Sequence, residues 1–283
     1  MLLPVDFEYF RPATLQEALE LLLARGPKAR IMAGGTDLVL EMKRGKAAPE
    51  VLVDVTAVPE LRVLECDDHA LRIGAACTFA AICISPHVRE YAPALAGAAT
   101  QVGSPQIRAR GTIGGNVGTR SPAGDSLPPL VAHGAEAVVV SGTGERTVRI
   151  EKMLSGAERL EPGELIREFS IPKREGVKGV FVKLGRRNAL AIARLSLALV
   201  AQPAAAGWDA RVALGTLGIV PVRVPEAEEL MKTRGLGPTA WPELAEAASR
   251  AVGRSIPGRP TAPYKMRAVK GIVYEALEKM SHG

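Results

Sequence analysis

Ala33-Gly34-Gly35-Thr36-Asp37 and, further along, Thr112-Ile113-Gly114-Gly115-Asn116 decide how this chain is read. Each glycine pair removes side chains where a backbone has to come close to something, and each is flanked by small polar residues that can hydrogen-bond an oxyanion. Taken singly, either pair reads as a plain turn. The first has the more telling neighbours. It follows the short apolar run Arg30-Ile31-Met32-Ala33 and precedes a stretch with helical spacing from Leu38 to Met42. A strand, a glycine turn and a helix start, in that order, offer unpaired backbone N–H groups and a positive dipole end to an anion. The two stretches together predict a two-sided clamp on a diphosphate. The commoner phosphate motifs are missing: no G-x-G-x-x-G opens a βαβ unit, and no glycine-rich stretch ends in G-K-S/T.

Upstream of the first stretch, Thr14 and Glu17 form a capping box. Leu15, Ala18, Leu19, Leu22 and Leu23 then follow at helical spacing until Gly26 stops the helix. A strand over 29–32, the glycine turn, a short helix and Val51-Leu52-Val53-Asp54-Val55 complete an αβαβ unit with two parallel strands. A second segment holds strands near 70–74, 137–141, 146–150 and 164–171 and helices near 78–82 and 91–100. Its 102–129 region is rich in Gly, Pro, Ser, Arg and Thr and reads as a long functional loop. From about Gly176, runs over 180–184, 192–200 and 210–216 predict an antiparallel meander. Ala193, Leu195, Leu197 and Leu199 fall on one face of it and Arg194 and Ser196 on the other. Helices over 226–234, 241–252 and 264–280 follow. The expected class is α+β, divided as 1–58, 59–175 and 176–283, the last an antiparallel sheet with helices.

With 283 residues, 47% hydrophobic and 23% charged, the chain is long enough for two or three domains and too apolar to be disordered. Its longest apolar runs are too short for a membrane span, and the N-terminus lacks a secretory signal pattern. The odd count of Cys66, Cys77 and Cys83, without C-x-x-C spacing, fits a reducing, cytoplasmic setting, with all three read as buried small apolar residues. His69, His87, His133 and His282 are scattered, so no metal site is expected. The net charge of +6 is dispersed and aromatics are only 4%, which argues against nucleic acid.

The chain resembles the FAD-binding medium subunits of molybdenum hydroxylases, the family of the carbon monoxide dehydrogenase medium subunit and the xanthine dehydrogenase flavin domain. The likeness runs from Phe7-Glu8-Tyr9-Phe10-Arg11-Pro12 to Lys265-Met266-Arg267. It is most specific at Ala33 to Leu38, at Arg110-Gly111-Thr112-Ile113-Gly114-Gly115-Asn116 and at Ser121-Pro122-Ala123-Gly124-Asp125. It implies a two-part FAD-binding region of the PCMH type, a small αβ subdomain and a larger mixed α/β subdomain, ahead of the C-terminal sheet. It also implies FAD as cofactor and, as partners, a large molybdenum-cofactor subunit and a small [2Fe-2S] subunit in a dimer of heterotrimers. The chain would then be an oxidoreductase subunit that passes electrons from iron–sulfur clusters through FAD to NAD, oxygen or a quinone.

The same resemblance implies that Ile31, Met32, Ala33, Gly34, Gly35, Thr36, Asp37 and Leu38 line the cofactor, with Val102, Thr112, Ile113, Gly114, Gly115 and Asn116. The amides of Gly34, Gly35, Gly114 and Gly115 and the hydroxyls of Thr36 and Thr112 are the expected donors. Asp37, awkward beside a diphosphate, is expected to accept N–H bonds at the helix start. Asn116 either donates to the flavin or organises its own loop. Asp125 corresponds to a position near the adenosine ribose, or else caps a turn. Lys183 corresponds to a cation near the flavin ring, and Leu165 and Ile166 to isoalloxazine contacts that also fit an ordinary core strand. Where several relatives carry an acidic residue and an aromatic, this chain has Ala191-Ile192-Ala193. No nucleophile or acid–base pair is evident, so no catalytic residue is assigned. The rival readings are a self-contained FAD oxidase and a non-enzymatic nucleotide-binding scaffold.

Overall fold

The computed structural model describes residues 6–187, 190–205 and 207–282, so part of the N-terminal reading lies outside the described residues. The αβαβ unit forms as expected, with one strand added. Glu8–Phe10, Val51–Asp54 and Ala29–Met32 make a parallel sheet with Val51–Asp54 in the middle. The first helix, Leu15–Arg25, is capped by Thr14, whose hydroxyl accepts from the Glu17 N–H at 3.2 Å. Its Ala18, Leu19 and Leu22 pack with Val51, Val53, Val58, Leu61 and Leu165 in one apolar cluster, which ties this sheet to the next segment.

That segment holds a five-stranded antiparallel sheet in the order Leu64–Cys66, Ala70–Gly74, Leu165–Pro172, Glu136–Ser141, Gly144–Arg149. The 102–129 region is not the long loop expected. It holds the helices Pro105–Arg110 and Ile113–Thr119 and the start of Leu127–His133. Short helices of this kind leave too few turns for an amphipathic period to show in sequence, but Ser104 and Thr112 each cap one of them through a side-chain oxygen.

The C-terminal meander is a four-stranded antiparallel sheet, ordered Val222–Arg223, Gly207–Gly215, Leu195–Ala204, Lys178–Leu184. The strand expected at 192 begins at Leu195 and runs to Ala204, and from Leu195 to Ala201 it is buried on both faces. Leu195, Leu197 and Leu199 pack on the helices Pro225–Arg234, Trp241–Ser255 and Ala262–His282, while Ala198 and Val200 pack into the central core. Burial on both faces removes the alternation that a half-solvated strand shows. Of the three cysteines, Cys77 is buried, whereas Cys66 and Cys83 are partly exposed; all are free. Among the described residues, no helix is long and apolar enough to cross a membrane.

Candidate functional site

The first glycine stretch leaves the carboxyl end of the Ala29–Met32 strand, the edge where parallel sheets bind ligands. Gly35 has a φ of +70°, which an L side chain tolerates poorly, and Val39 N–H closes the following turn on its carbonyl at 3.1 Å. The N–H groups of Gly34, Gly35, Thr36, Asp37 and Leu38 meet no acceptor among the described residues. Consecutive amides left open in this way form an anion-binding concavity. Asp37 does not accept the capping bonds expected of it. It is exposed, and desolvation by the surrounding chain and then the charge of Glu41 raise its carboxyl pKa.

The second stretch is a helix start rather than a loop, and its amides are engaged. Ile113 N–H donates to the Cys77 carbonyl at 3.1 Å and Gly114 N–H to the Ala75 carbonyl at 2.9 Å. Gly115 N–H donates to the hydroxyl oxygen of Thr112 at 3.1 Å. The amides of Gly114 and Gly115, expected to point at a diphosphate, are therefore committed to the chain itself. Close packing accounts for Gly114, since a Cβ there would lie 2.7 Å from the Ala75 carbonyl oxygen. Asn116 organises its own surroundings: its side-chain carbonyl accepts from Ser126 Oγ at 2.7 Å and thereby fixes the Ser121–Ser126 turn.

The two stretches do meet. A Cβ on Gly34 would fall 1.8 Å from the Arg110 carbonyl oxygen, so the first stretch lies directly on the backbone that leads into the second. Beside this contact, Asp54 accepts from Tyr9 Oη at 2.5 Å, from Thr56 Oγ1 at 2.6 Å and from Thr56 N–H at 2.9 Å. Burial pushes its carboxyl up, but those bonds and the charge of Arg11 outweigh it and leave the group below the ordinary carboxylate range.

Asp125 and Lys183 form a buried ion pair at 2.5 Å, each side chain only 7% exposed. Lys183 Nζ also donates to the Gln101 carbonyl at 3.0 Å, next to Val102, which ends the helix Pro93–Gln101. The other carboxylate oxygen, Asp125 Oδ1, is buried with no partner among the described residues, and burial pushes the Asp125 pKa to about 6 against the opposing pull of Lys183. Positions expected at the adenosine and flavin ends of one cofactor are thus in direct contact. Leu165 and Ile166 are core residues, Leu165 in the cluster under the first helix and Ile166 in the central core. Ile31 and Ala33 pack at the margin of the first of these clusters. The sequence reading missed Arg110, Gln101 and the Tyr9–Asp54–Thr56 group. Arg110 lies inside the quoted motif, but as one arginine among many it carried no distinguishing signal.

Residues 5–174 match the family described as FAD binding domain in molybdopterin dehydrogenase. The nicotinate dehydrogenase FAD-subunit of Eubacterium barkeri is 34% identical over 281 residues, covering 94% of this chain and 93% of that protein. The carbon monoxide dehydrogenase medium chain of Hydrogenophaga pseudoflava is 34% identical over 190 residues, 66% of each. Among solved structures, carbon monoxide dehydrogenase from H. pseudoflava lacking the Mo-pyranopterin moiety of its cofactor superposes with a TM-score of 0.89 at 29% identity. The match covers 100% of this chain and 99% of that one.

Proposed function

This chain belongs to the family of FAD binding domains in molybdopterin dehydrogenases, and on that premise we propose that it is the FAD-carrying, electron-transferring subunit of a molybdenum hydroxylase complex. The observation that carries the reading is the run of open amides from Gly34 to Leu38 at the carboxyl edge of a parallel sheet, a donor array suited to a diphosphate. The unpartnered Asp125 Oδ1 fits as well, because a buried carboxylate oxygen calls for a donor such as a sugar hydroxyl.

In this proposal, Ile31 to Leu38, Val102 and Thr112 to Asn116 line the cofactor, and the hydroxyls of Thr36 and Thr112 and the Asn116 amide add donors. Asp125 accepts a cofactor hydroxyl through Oδ1 while Lys183 holds its other oxygen in place. Leu165 and Ile166 back the wall from within the core. When bound, FAD supplies the ability to take up electrons singly and release them in pairs, chemistry that belongs to the cofactor. The chain positions the cofactor, excludes water from its polar anchors and keeps a buried cation at Lys183 Nζ. A relative named as a medium chain supports a larger and a smaller partner, read here as a molybdenum-cofactor subunit and a [2Fe-2S] subunit in a dimer of heterotrimers. NAD, oxygen or a quinone is the terminal acceptor, and the free cysteines suit the cytoplasm.

The visible absorption spectrum of the purified chain tests the reading. Flavin bands and release of stoichiometric FAD on denaturation are expected. A colourless chain that takes up no added FAD, alone or with its partners, overturns it.

A further inference from the structure

If this site holds the FAD diphosphate, the second stretch offers it the Thr112 hydroxyl and the Asn116 amide but not the amides of its glycine pair. A diphosphate brings two negative charges, and backbone amides offset them only through partial dipoles. The amides of Gly114 and Gly115, which would close the clamp from the second stretch, are engaged with Ala75 and Thr112. Asp37 adds a further carboxylate within the first loop, with no capping bond to the helix it precedes. Neither stretch contains a lysine or arginine, so a cation on the side of the loop facing the second stretch would supply the charge they lack.

Arg110 stands there. It is the last residue of the helix Pro105–Arg110, and its carbonyl oxygen lies against Gly34, close enough to exclude any Cβ. Its neighbour on the same helix, Arg108, is committed to structure, with its guanidinium donating to the Val102 and Gly103 carbonyls at 3.1 and 3.3 Å. The Arg110 side chain is exposed and makes no hydrogen bond or ion pair among the described residues. Its charge also reaches the root of the loop. The Tyr9 phenol, raised chiefly by its hydrogen bond to Asp54, is pulled the other way by Arg11 and Arg110. Asp54 pairs in register with Met32, the last strand residue before the glycine turn.

We propose that the Arg110 guanidinium joins the second side of the clamp, a charge-assisted donor that holds the diphosphate against the open amides of Gly34 to Leu38. The proposal rests on the FAD reading above, but the two can fail separately. Arg110 contributes a fork of N–H donors that matches phosphate oxygens. The glycine contact is made by its main chain, so changing the side chain leaves that packing intact.

The test titrates the full chain, stripped of flavin, with FAD and with riboflavin, which lacks the diphosphate, at low and moderate salt. R110Q is expected to weaken FAD binding by about tenfold or more and to flatten its salt dependence, the size of one lost charge-assisted bond. Riboflavin affinity and the unfolding midpoint of the apo chain should stay at wild-type values. R110K should be intermediate and R110E weaker than R110Q. FAD affinity that ignores the charge at position 110, or an equal loss for riboflavin, overturns the proposal while leaving the FAD reading standing. A wild-type chain that binds FAD no better than riboflavin removes the diphosphate reading itself.

Discussion

The glycine pairs at 34–35 and 114–115 look alike in sequence and behave differently in the fold. Around the first, the N–H groups of Gly34 to Leu38 are open among the described residues; around the second, those of Ile113, Gly114 and Gly115 are bonded to Cys77, Ala75 and Thr112. Gly34 and Gly114 nonetheless share a cause, since each lets another segment's backbone approach where a Cβ would collide. In each pair the first glycine admits another segment's backbone, but whether a ligand is also approached depends on where the neighbouring amides point.

The contrast can be broken by substitution. G34A has the largest expected effect, because its Cβ would fall 1.8 Å from the Arg110 carbonyl oxygen. Parting the two stretches should cost about 4 kcal/mol or prevent folding, as read by urea unfolding. A near-wild-type G34A would mean that the stretches do not touch. Next comes K183M, which strands the buried Asp125 carboxylate and should cost about 3 kcal/mol in the same assay. Wild-type stability there would dissolve the junction between the second stretch's turn and the C-terminal sheet.

Acid sharpens the picture around the helix Leu127–His133, which follows Asp125 closely and ends on His133. Burial, then the charges of Arg174 and Arg211, push the His133 pKa from 6.5 down to about 3. A depressed histidine gives stability that is complete above 6.5 and is lost as pH falls toward 3. Asp125, raised from 3.8 to about 6, has the opposite sign and gains stability as pH falls through that window. Asp125 is common to both proteins and cancels, so the stability advantage of wild type over H133L should shrink between pH 7 and pH 4 by about 3 kcal/mol, each unit of pH below 6.5 removing about 1.4 kcal/mol. An advantage constant with pH would show that His133 titrates normally. The smallest effect belongs to G118A, in the helix Ile113–Thr119, where a Cβ meets nothing within 4 Å. It should stabilise by about 0.5–1 kcal/mol if this stretch is helical, and by nothing if it is a loop.

Much of the fold was legible because its signals are local. The Thr14–Glu17 cap, the helical spacing of Leu15 to Leu22, the strand at 29–32 and the order of the meander appear in the structure as the residues predict. The 102–129 region reads as a loop in sequence because each of its helices is too short to repeat an apolar period, and the strand from Leu195 hides its alternation because both faces are buried as far as Ala201. At the site, Asp125 and Lys183 were picked out, but not as partners, since they are far apart in the chain and only folding joins them.

The sequence by itself determined that side chains are absent at 34–35 and 114–115, that the first pair opens from a strand, and that α+β segments follow in a given order. These are properties of a residue and its immediate neighbours, set by the missing Cβ and by side-chain periodicity. Only the tertiary structure decided which amides are free, that Arg110 lies against Gly34, and that the Asp125 carboxylate is matched by Lys183. Hydrogen-bond satisfaction and the pairing of buried charge depend on which distant segments meet, and no local pattern encodes that.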